Sequence, residues 1–266
     1  MSGPMFSIVT VVRNDVVGTI KTMQSIFGQT FADYEVIVQD GNSTDGTSEV
    51  LRSFGTWIDS LVVEKDAGIY DAMNRALARC SGDWILFLNA ADYFVDDRVL
   101  EKVACRVRPG SDIFVGVPIR DEDGLPHVYR PRDQFWIGSI NDHQATFVRR
   151  ELAQRLRFDT SFRIAGDLDF FLRAREAGAV EQVENLPIAR KSFSVGASTD
   201  WLKRLSEREP ILLEKFDGIY PVRETLDREL RNYVEKAYDV DRRVLDDWKY
   251  EELKDVLVRW NSVLAA

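Results

Sequence analysis

Residues 84–92 read Trp-Ile-Leu-Phe-Leu-Asn-Ala-Ala-Asp, five apolar residues that run into a polar turn. A short, continuous apolar run that ends in turn residues is typical of a strand buried on both faces of a parallel sheet. Ligands of such sheets bind at the carboxyl ends of the strands. We therefore expect residues 89–92 to lie at a ligand-binding edge.

Three more strands of this kind come earlier in the chain, and apolar residues recur at helical spacing between them. Strands that alternate with helices predict an α/β fold, here a Rossmann-like domain with a mostly parallel central sheet. Polar residues follow each strand, namely Arg13, Asp40 and Asp66. The predicted strands are 6–12, 34–39 and 61–64, and the predicted helices are 15–27, 47–54 and 69–79.

The rest of the chain divides into the second half of this domain and a charged C-terminal segment. From about residue 200 charges become dense and apolar residues keep a helical spacing. We therefore predict one domain over residues 1–198 and a helical extension over residues 199–266. The domain's second half should hold a strand at 112–120, a hairpin at 127–130, a segment at 141–149 that starts polar and becomes strand-like, a helix at 167–177 and an extended segment at 180–193. The extension should hold helices at 201–216, 222–238 and 248–264.

The composition restricts partners and location. The formal net charge is −9, so we expect no binding to nucleic acid, which depends on cationic neutralisation of phosphates. The two cysteines, Cys80 and Cys105, lack metal-type spacing and are expected to be reduced. We find neither a signal peptide nor an apolar run of the roughly 18 residues that span a bilayer. We expect a cytoplasmic protein, and contact with the inner face of the membrane stays open.

Four groups of residues, taken in order, carry a specific pattern. They are 7–14 (SIVTVVRN) with 36–47 (VIVQDGNSTDGT), 64–74 (EKDAGIYDAMN), 87–92 (FLNAAD), and 143–147 (HQATF) with 164–170 (IAGDLDF). Together they resemble the family 2 glycosyltransferases with the GT-A fold, over about residues 5–195. The subset most similar in pattern builds bacterial exopolysaccharide, capsule or O-antigen units. The C-terminal segment lies outside this resemblance.

The resemblance implies an inverting, non-processive transfer of a sugar in cell-surface polysaccharide synthesis. The donor would be a nucleotide-diphosphate sugar, with a UDP-sugar as the first choice, and the acceptor a glycan or a lipid-linked sugar. Processive relatives carry Gln/Arg-x-x-Arg-Trp, but here Val256 stands where that pattern begins. Two alternatives stay open: a non-catalytic sugar-nucleotide-binding or assembly protein, and a nucleotidyltransferase that forms the sugar nucleotide. The second needs a glycine-rich signature after the first strand, which residues 13–15 do not supply.

The family implies a donor pocket at the first three strand ends. Asp40 would hold the base or the ribose, since a carboxylate accepts from a ring N–H or a hydroxyl. Asp66 would be the second nucleotide contact, and Gly68 would allow close approach of the backbone. The other residues lining the pocket would be Thr10, Val11 and Arg13. A plain turn is the alternative for residues 40–42.

The family also implies a divalent cation at residues 89–92. Family members usually present two or three aspartates here, whereas this chain keeps Asp92 and has Asn89 and Ala91 where acids often stand. Hard cations prefer oxygen ligands and offset charge on a departing diphosphate. We expect a weak Mg²⁺ or Mn²⁺ site formed by Asp92 and the donor phosphates, with Asn89 and Ala91 lining the donor. Metal-independent binding stays open.

The last pair of motifs implies the catalytic base. Asp167 stands where the family commonly has the aspartate of a Glu–Asp pair, and it would take the proton of the acceptor hydroxyl. Gly166 replaces the glutamate. Asp169 is the second choice, and both acids could instead serve only as charges at a helix N-terminus. His143 would contact the diphosphate or the metal.

Weaker roles are assigned to other residues. Each basic residue of the loop-rich half could neutralise phosphate, but taken singly each is expected to be solvated at the surface. His127 is expected at the surface, and Trp136 could stack on a sugar or pack. The C-terminal helices could form a homodimer, cover the acceptor site or rest on a membrane, and their mixed charges favour a protein-packed or solvated role. These basic residues are Arg130, Arg132, Arg190 and Lys191.

Overall fold

Strand β1, Phe6–Val12, is buried along its whole length and lies inside a parallel set of strands. It pairs with β2, Tyr34–Asp40, on one side and with β4, Trp84–Phe87, on the other. Strand β3, Ser60–Val63, continues the parallel set beyond β2. Because the four strands run in one direction, their carboxyl ends meet at one edge of the sheet.

The computed structural model describes residues 3–121, 124–125, 141–191, 201–238, 245 and 249–264. Within them the sheet has the order β3-β2-β1-β4-β7-β6-β8-β5. Strand β7 is antiparallel to β4 and β6, β5 is antiparallel to β8, and β6 and β8 are parallel. The predicted α/β fold with a mostly parallel sheet is therefore confirmed. The remaining strands are β5 Tyr93–Phe94, β6 Ile113–Arg120, β7 Thr146–Arg149 and β8 Glu181–Lys191.

Helices cover both faces of the sheet, and the alternation of side chains along β1 shows how. Phe6 and Ile8 pack into one apolar cluster with residues of α1, α2 and α4, while Val9 and Val11 pack into another with residues of α3, α5 and α6. Burial on both faces explains why the strands read as continuous apolar runs. The helices are α1 Val16–Phe27, α2 Thr47–Ser53, α3 Ile69–Leu77, α4 Val99–Ala104, α5 Arg150–Leu156 and α6 Gly166–Glu176.

Some short elements were not predicted. Strand β5 has two residues, and α4 and α5 have six and seven, which is too short for a periodic pattern to stand out. The segment at 141–149 becomes a strand only in its second half, as predicted, because His143–Ala145 forms a 3₁₀ turn before β7 begins. The hairpin predicted at 127–130 lies outside the described residues.

A close approach of α1 places the turn after β4. Asp15 caps this helix by accepting a hydrogen bond from Gly18 N at 2.8 Å. A Cβ atom at Gly18 would lie 2.8 Å from the backbone nitrogen of Ala91, so glycine is needed for this contact. Thr22, one turn further on, donates its hydroxyl to the carbonyl oxygen of Asp92 at 2.6 Å. Helix α1 therefore fixes the backbone of residues 89–92.

The described residues fall into two compact units, one ending at Lys191 and one beginning at Trp201. The second unit contains α7 Trp201–Phe216, α8 Val222–Tyr238 and α9 Tyr250–Leu264, which agree closely with the three predicted helices. Its buried Glu209 forms an ion pair with Lys254. No helix among the described residues has the length and apolar character needed to cross a bilayer. The boundary between residues 198 and 199 stays a prediction, since residues 192–200 lie outside the described part.

Candidate active site

Three strand ends form one side of the candidate site. The parallel register pairs Val12 with Asp40, and Val9 with Phe87, so the residues that follow β1, β2 and β4 emerge at the same edge. The backbone continues this alignment past β4, since Leu88 N donates to Val9 O at 2.8 Å. The edge predicted from the polar strand ends is therefore present.

Arg13 and Asp66 meet at Gly41. A Cβ atom at Gly41 would lie 2.6 Å from Oδ2 of Asp66 and 3.3 Å from Cδ of Arg13, so a larger residue would displace both side chains. Asp66 also accepts from Gly68 N at 3.0 Å, and Gly68 has a φ of 138° that favours glycine. The structure thus brings Arg13, Asp66 and Gly68 together, as predicted for the donor pocket.

Three predicted donor residues, Thr10, Val11 and Asp40, are more buried than side chains that line an open pocket. Asp40 is fully buried, and its carboxylate accepts from the backbone and hydroxyl of Ser43 and from the hydroxyl of Ser48. Thr10 is also fully buried and donates to Leu88 O at 2.8 Å. These contacts shape the loop after β2 and the turn after β4. Direct contact of Asp40, Thr10 and Val11 with a donor stays a prediction.

The turn at residues 89–92 is tight and directs two polar side chains inwards. Asp92 N donates to Asn89 O at 3.0 Å, and Ala91 between them has a φ of 73°. The left-handed region costs a residue with a Cβ about 1–2 kcal/mol, and the small alanine side chain limits crowding there. Asn89 and Asp92 are both 8% exposed. A buried amide and a buried carboxylate therefore sit at the strand edge.

Asp92 is the most perturbed acid of the site. Burial raises the pKa of this carboxyl to about 6, although the charges of His143 and Lys191 and a hydrogen bond from Gln144 act in the opposite direction. A buried carboxylate with a raised pKa stabilises an added cation, because desolvation disfavours the unpaired charge. Such groups are enriched at functional sites.

His143 lies between Asn89 and Asp167. Its Nε2 atom is 3.1 Å from Nδ2 of Asn89, and its Nδ1 atom is 3.6 Å from Oδ2 of Asp167. The tautomer that accepts from the Asn89 amide at Nε2 carries its proton on Nδ1, on the side of the carboxylate. The histidine therefore connects the turn after β4 with the predicted catalytic base.

Asp167 stands in the first turn of α6 with its side chain 16% exposed. Its Oδ1 atom accepts from Leu168 N at 2.8 Å, which leaves Oδ2 towards His143. The glycine before it has a structural reason, because a Cβ atom at Gly166 would lie 2.7 Å from the ring of Tyr70. The hydroxyl of Tyr70 in turn donates to Ile164 O at 2.6 Å. Tyr70 thus occupies the space next to the start of α6.

Asp169 is engaged elsewhere. Its Oδ2 atom lies 2.7 Å from Nη2 of Arg173, and Arg173 also donates to the carbonyl oxygens of Leu156 and Arg157. This network joins α6 to the end of α5. The arrangement favours Asp167 over Asp169 as the base.

Lys191 lies at the candidate site, although the sequence named it only as one of four basic residues that could neutralise phosphate. The expectation of a solvated surface lysine is wrong, because its side chain is 13% exposed and its Nζ atom lies 2.7 Å from Oδ1 of Asp142. The charges of Asp92 and Asp167 also act on it. Its position at the end of a predicted extended segment was the sequence feature that could have indicated a place in the site. Arg190 is half-buried and pairs with Tyr93, whereas the other positions with assigned roles, His127, Arg130, Arg132 and Trp136, lie outside the described residues.

The residues offer oxygen atoms for a cation but few acids. Oδ1 of Asn89 and Oε1 of Gln144 are buried oxygens that find no hydrogen-bond donor in the described part of the chain. Asp92 lies in the same turn as Asn89 and accepts a hydrogen bond from the side chain of Gln144. Among the described residues, no group of three or more His, Cys, Asp or Glu is arranged to hold a metal ion. The site therefore fits a cation only if other ligands complete its coordination.

Comparisons with known proteins agree with this geometry. The family model described as "Glycosyl transferase family 2" matches residues 7–174. This chain belongs to that family. It is accordingly a glycosyltransferase, and its strand-edge site is the candidate active site of a family 2 enzyme.

Two relatives each match 65% of this chain. A "PGL/p-HBAD biosynthesis glycosyltransferase" of Mycobacterium bovis (strain BCG / Pasteur 1173P2) is 31% identical over 180 residues, which cover 65% of this chain and 70% of the relative. Another relative, Rv1514c of Mycobacterium tuberculosis (strain ATCC 25618 / H37Rv), is 32% identical over 186 residues, with the same coverage. Its name is "Uncharacterized glycosyltransferase".

Solved structures of other glycosyltransferases share the fold. S. aureus TarS 1-349 in complex with UDP-GlcNAc has a TM-score of 0.65 at 17% identity and covers 89% of this chain and 73% of that chain. In a second crystal structure of S. aureus TarS, the match covers 44% of the TarS chain. PcManGT, a mannosyltransferase from Pyrobaculum calidifontis in complex with GDP-Man and Mn²⁺, has a TM-score of 0.67 at 18% identity. It covers 99% of this chain and 81% of its own. The GT-A fold expected from the sequence is therefore confirmed.

Proposed function

We propose that this enzyme transfers a sugar from a UDP-sugar to a glycan or lipid-linked acceptor, with inversion and one sugar at a time, in the synthesis of cell-surface polysaccharide. The observation that carries the proposal is the position of Asp167. Its carboxylate stands beside His143 at the edge where the predicted donor residues Arg13 and Asp66 also emerge. The names of the relatives, among them the PGL/p-HBAD biosynthesis glycosyltransferase, support a role in building glycosylated products.

In this reaction Asp167 accepts the proton of the acceptor hydroxyl as its oxygen attacks the anomeric carbon. The bond between that carbon and the diphosphate breaks on the opposite face, which inverts the configuration. Asp40, Asp66 and Arg13 hold the nucleotide directly or through the loops that they shape. The side chain of Asp92 and the Asn89 oxygen face the phosphates. Holding both substrates in line supplies much of the rate enhancement.

We propose that a Mg²⁺ or Mn²⁺ ion, when bound, offsets charge on the departing diphosphate. Asp92 would be its carboxylate ligand and Asn89 Oδ1 a second oxygen, and donor phosphates would complete the coordination. PcManGT, which shares the fold, was solved with Mn²⁺. The raised pKa of Asp92 supports a place for positive charge beside it.

A thermal-shift screen of UDP, GDP and ADP, each with and without Mn²⁺, tests the donor site. Ligands that bind the native state raise the melting temperature in proportion to occupancy. We expect UDP to give the largest shift, increased by Mn²⁺. Failure of every nucleotide to shift the melting temperature, with or without the ion, would overturn the proposal. The configuration of the product, read by NMR from the transferred sugar, then tests inversion.

We also propose a cytoplasmic location, where nucleotide sugars are available and where Cys80 and Cys105 stay reduced. Burial raises the pKa of the Cys80 thiol to about 12, which keeps it protonated and unreactive. Cell fractionation tests the location, with recovery in the periplasmic or extracellular fraction as the contrary result. Flotation with anionic vesicles and sedimentation equilibrium separate membrane contact from dimerisation of α7 to α9.

A further inference from the structure

Lys191 is the last residue of β8, and its side chain is largely shielded from solvent. Its Nζ atom lies 2.7 Å from Oδ1 of Asp142, and the two side chains are 13% and 11% exposed. Asp142 is itself fixed, because its backbone carbonyl accepts from the hydroxyl of Thr146 at 2.8 Å. Burying an ammonium costs desolvation free energy unless the group is paired. The ion pair with Asp142 therefore keeps a positive charge at this position.

Lys191 reaches the candidate active site through Asp142, which immediately precedes His143, and the ring of His143 lies 3.1 Å from Asn89 and 3.6 Å from Asp167. Although burial lowers the pKa of Lys191, the charge and hydrogen bond of Asp142 and the charges of Asp92 and Asp167 raise it above its ordinary value. Lys191 therefore lies within electrostatic reach of both the predicted phosphate-side residue and the predicted base.

The turn at residues 89–92 carries little negative charge of its own. Asn89 and Ala91 carry no charge, so Asp92 is the one acid of this turn. A turn with fewer carboxylates repels an approaching diphosphate less and attracts a cation less. A permanent ammonium near the turn can do part of what extra acids and a cation do together, namely offset the charge of two phosphates.

We propose that Lys191 binds the diphosphate of the sugar donor and stabilises it as it departs. An ammonium has three N–H donors, so Lys191 can keep Asp142 and also donate to a phosphate oxygen. This inference rests on the proposed function, because it assumes that a nucleotide diphosphate occupies the site. Asp142 acts as the positioning residue that aims the ammonium.

Comparing a nucleoside diphosphate with its nucleoside separates phosphate binding by Lys191 from a purely structural role of this lysine. Affinities of the full chain are measured by calorimetry for UDP and uridine, and for GDP and guanosine, in EDTA and in Mn²⁺. We expect the wild type to bind one diphosphate more tightly than its nucleoside even in EDTA. Lys191→Met should lower that diphosphate affinity about tenfold or more and leave the nucleoside affinity unchanged, since a charge-assisted hydrogen bond is lost. Lys191→Arg should restore most of the difference.

A matched control uses Lys102, which forms an ion pair with Asp96 at 2.6 Å on the surface of α4. Lys102→Met should change neither affinity. If Lys191→Met does not fold, the double variant Lys191→Met with Asp142→Asn removes both charges of the pair and keeps the test. Equal losses for diphosphate and nucleoside, or no loss, would overturn the role of Lys191 and leave the donor site standing. A wild type that binds none of the four compounds would overturn the proposed function, and the role of Lys191 with it.

Discussion

Nδ1 of His143 lies 3.6 Å from Oδ2 of Asp167, while Nε2 of the same ring is 3.1 Å from the amide nitrogen of Asn89. The three residues come from three separate sequence motifs. The amide of Asn89 faces Nε2, and the tautomer that accepts from it carries its proton on Nδ1, on the side of Asp167. His143 thus lies between the turn after β4 and the start of α6.

Replacing the base is the most direct test of the chemistry. Asp167→Asn should reduce turnover about 10²–10⁴-fold, because the acceptor hydroxyl loses its general base. Binding of UDP should stay within about twofold, since the substitution is isosteric. Turnover is measured with labelled donor and affinity by calorimetry. Asp169→Asn is the matched control: it should loosen the contact with Arg173 and lower stability while turnover stays near the wild-type value. Wild-type turnover in Asp167→Asn would contradict the assignment.

The histidine should act on turnover more than on donor affinity. His143→Ala should lower turnover about tenfold, since it removes the imidazole that lies against the Asp167 carboxylate and holds it in position. His143→Asn should recover part of this loss, because an asparagine amide places an N–H near the position of Nδ1. His143→Gln places the amide near Nε2 and should recover less. Steady-state kinetics of the three variants decide the question, and equal turnover of the Asn and Gln variants would show that Nδ1 has no special part.

The ionised carboxylate of Asp92 should lower the stability of the folded protein. The folded-state pKa of about 6 lies above the unfolded value of 3.8, so the native state binds this proton more tightly and stability falls as the pH rises from about 4 to 6. In EDTA at pH 8, Asp92→Asn should therefore be more stable than the wild type, by up to about 3 kcal/mol. The gain should disappear near pH 4. Urea unfolding at both pH values measures it.

The same Asp92→Asn variant should bind UDP more weakly in Mn²⁺ than the wild type does. Removing Mn²⁺ with EDTA should weaken UDP binding to the wild type and change the variant little, because the variant lacks the carboxylate ligand. Wild-type affinity in the variant, together with full activity of the wild type in EDTA, would remove Asp92 from the donor site.

Glu35 should stabilise the far end of the sheet. Burial raises its pKa, but hydrogen bonds from Ser7, Ser81 and Gly82 outweigh this and lower the pKa below 4.5. Its stabilisation is therefore present above the unfolded pKa and is lost as the pH falls through the folded value. At pH 7, Glu35→Gln should cost about 1–3 kcal/mol of unfolding free energy, with less cost at pH 3. Glu101→Gln, on the exposed pair with Arg98, is the control and should have no measurable effect.

The sequence predicted the donor half of the fold well because that half depends on local patterns. Continuous apolar runs such as Phe6–Val12 are recognisable without knowledge of their neighbours, and their polar ends locate the edge. Asn89, Asp92, His143 and Asp167 were identified from motifs and do come together. Their actual hydrogen-bond partners were not predictable, because the parallel sheet brings together residues far apart in the chain.

Residues whose role depends on distant packing were misjudged. Lys191 pairs with Asp142 across 49 positions of sequence, so the sequence alone favoured a solvated lysine over one that neutralises phosphate. Gly166 stands where the family commonly has a glutamate, and the ring of Tyr70 leaves no space for a side chain there. In both cases the decisive neighbour comes from another strand or helix, and no local pattern contains it.

The reversal of direction at β7 has a consequence for how such enzymes diversify. Donor-side residues follow the ends of β1, β2 and β4, whereas His143 precedes β7, which runs the opposite way. Insertions after β2 therefore change the donor side of the site without altering the register of β7. A combinatorial library can randomise residues 42–45, with Gly41 kept for Arg13 and Asp66 and with Asp142 kept for Lys191, and be screened against different nucleotide sugars.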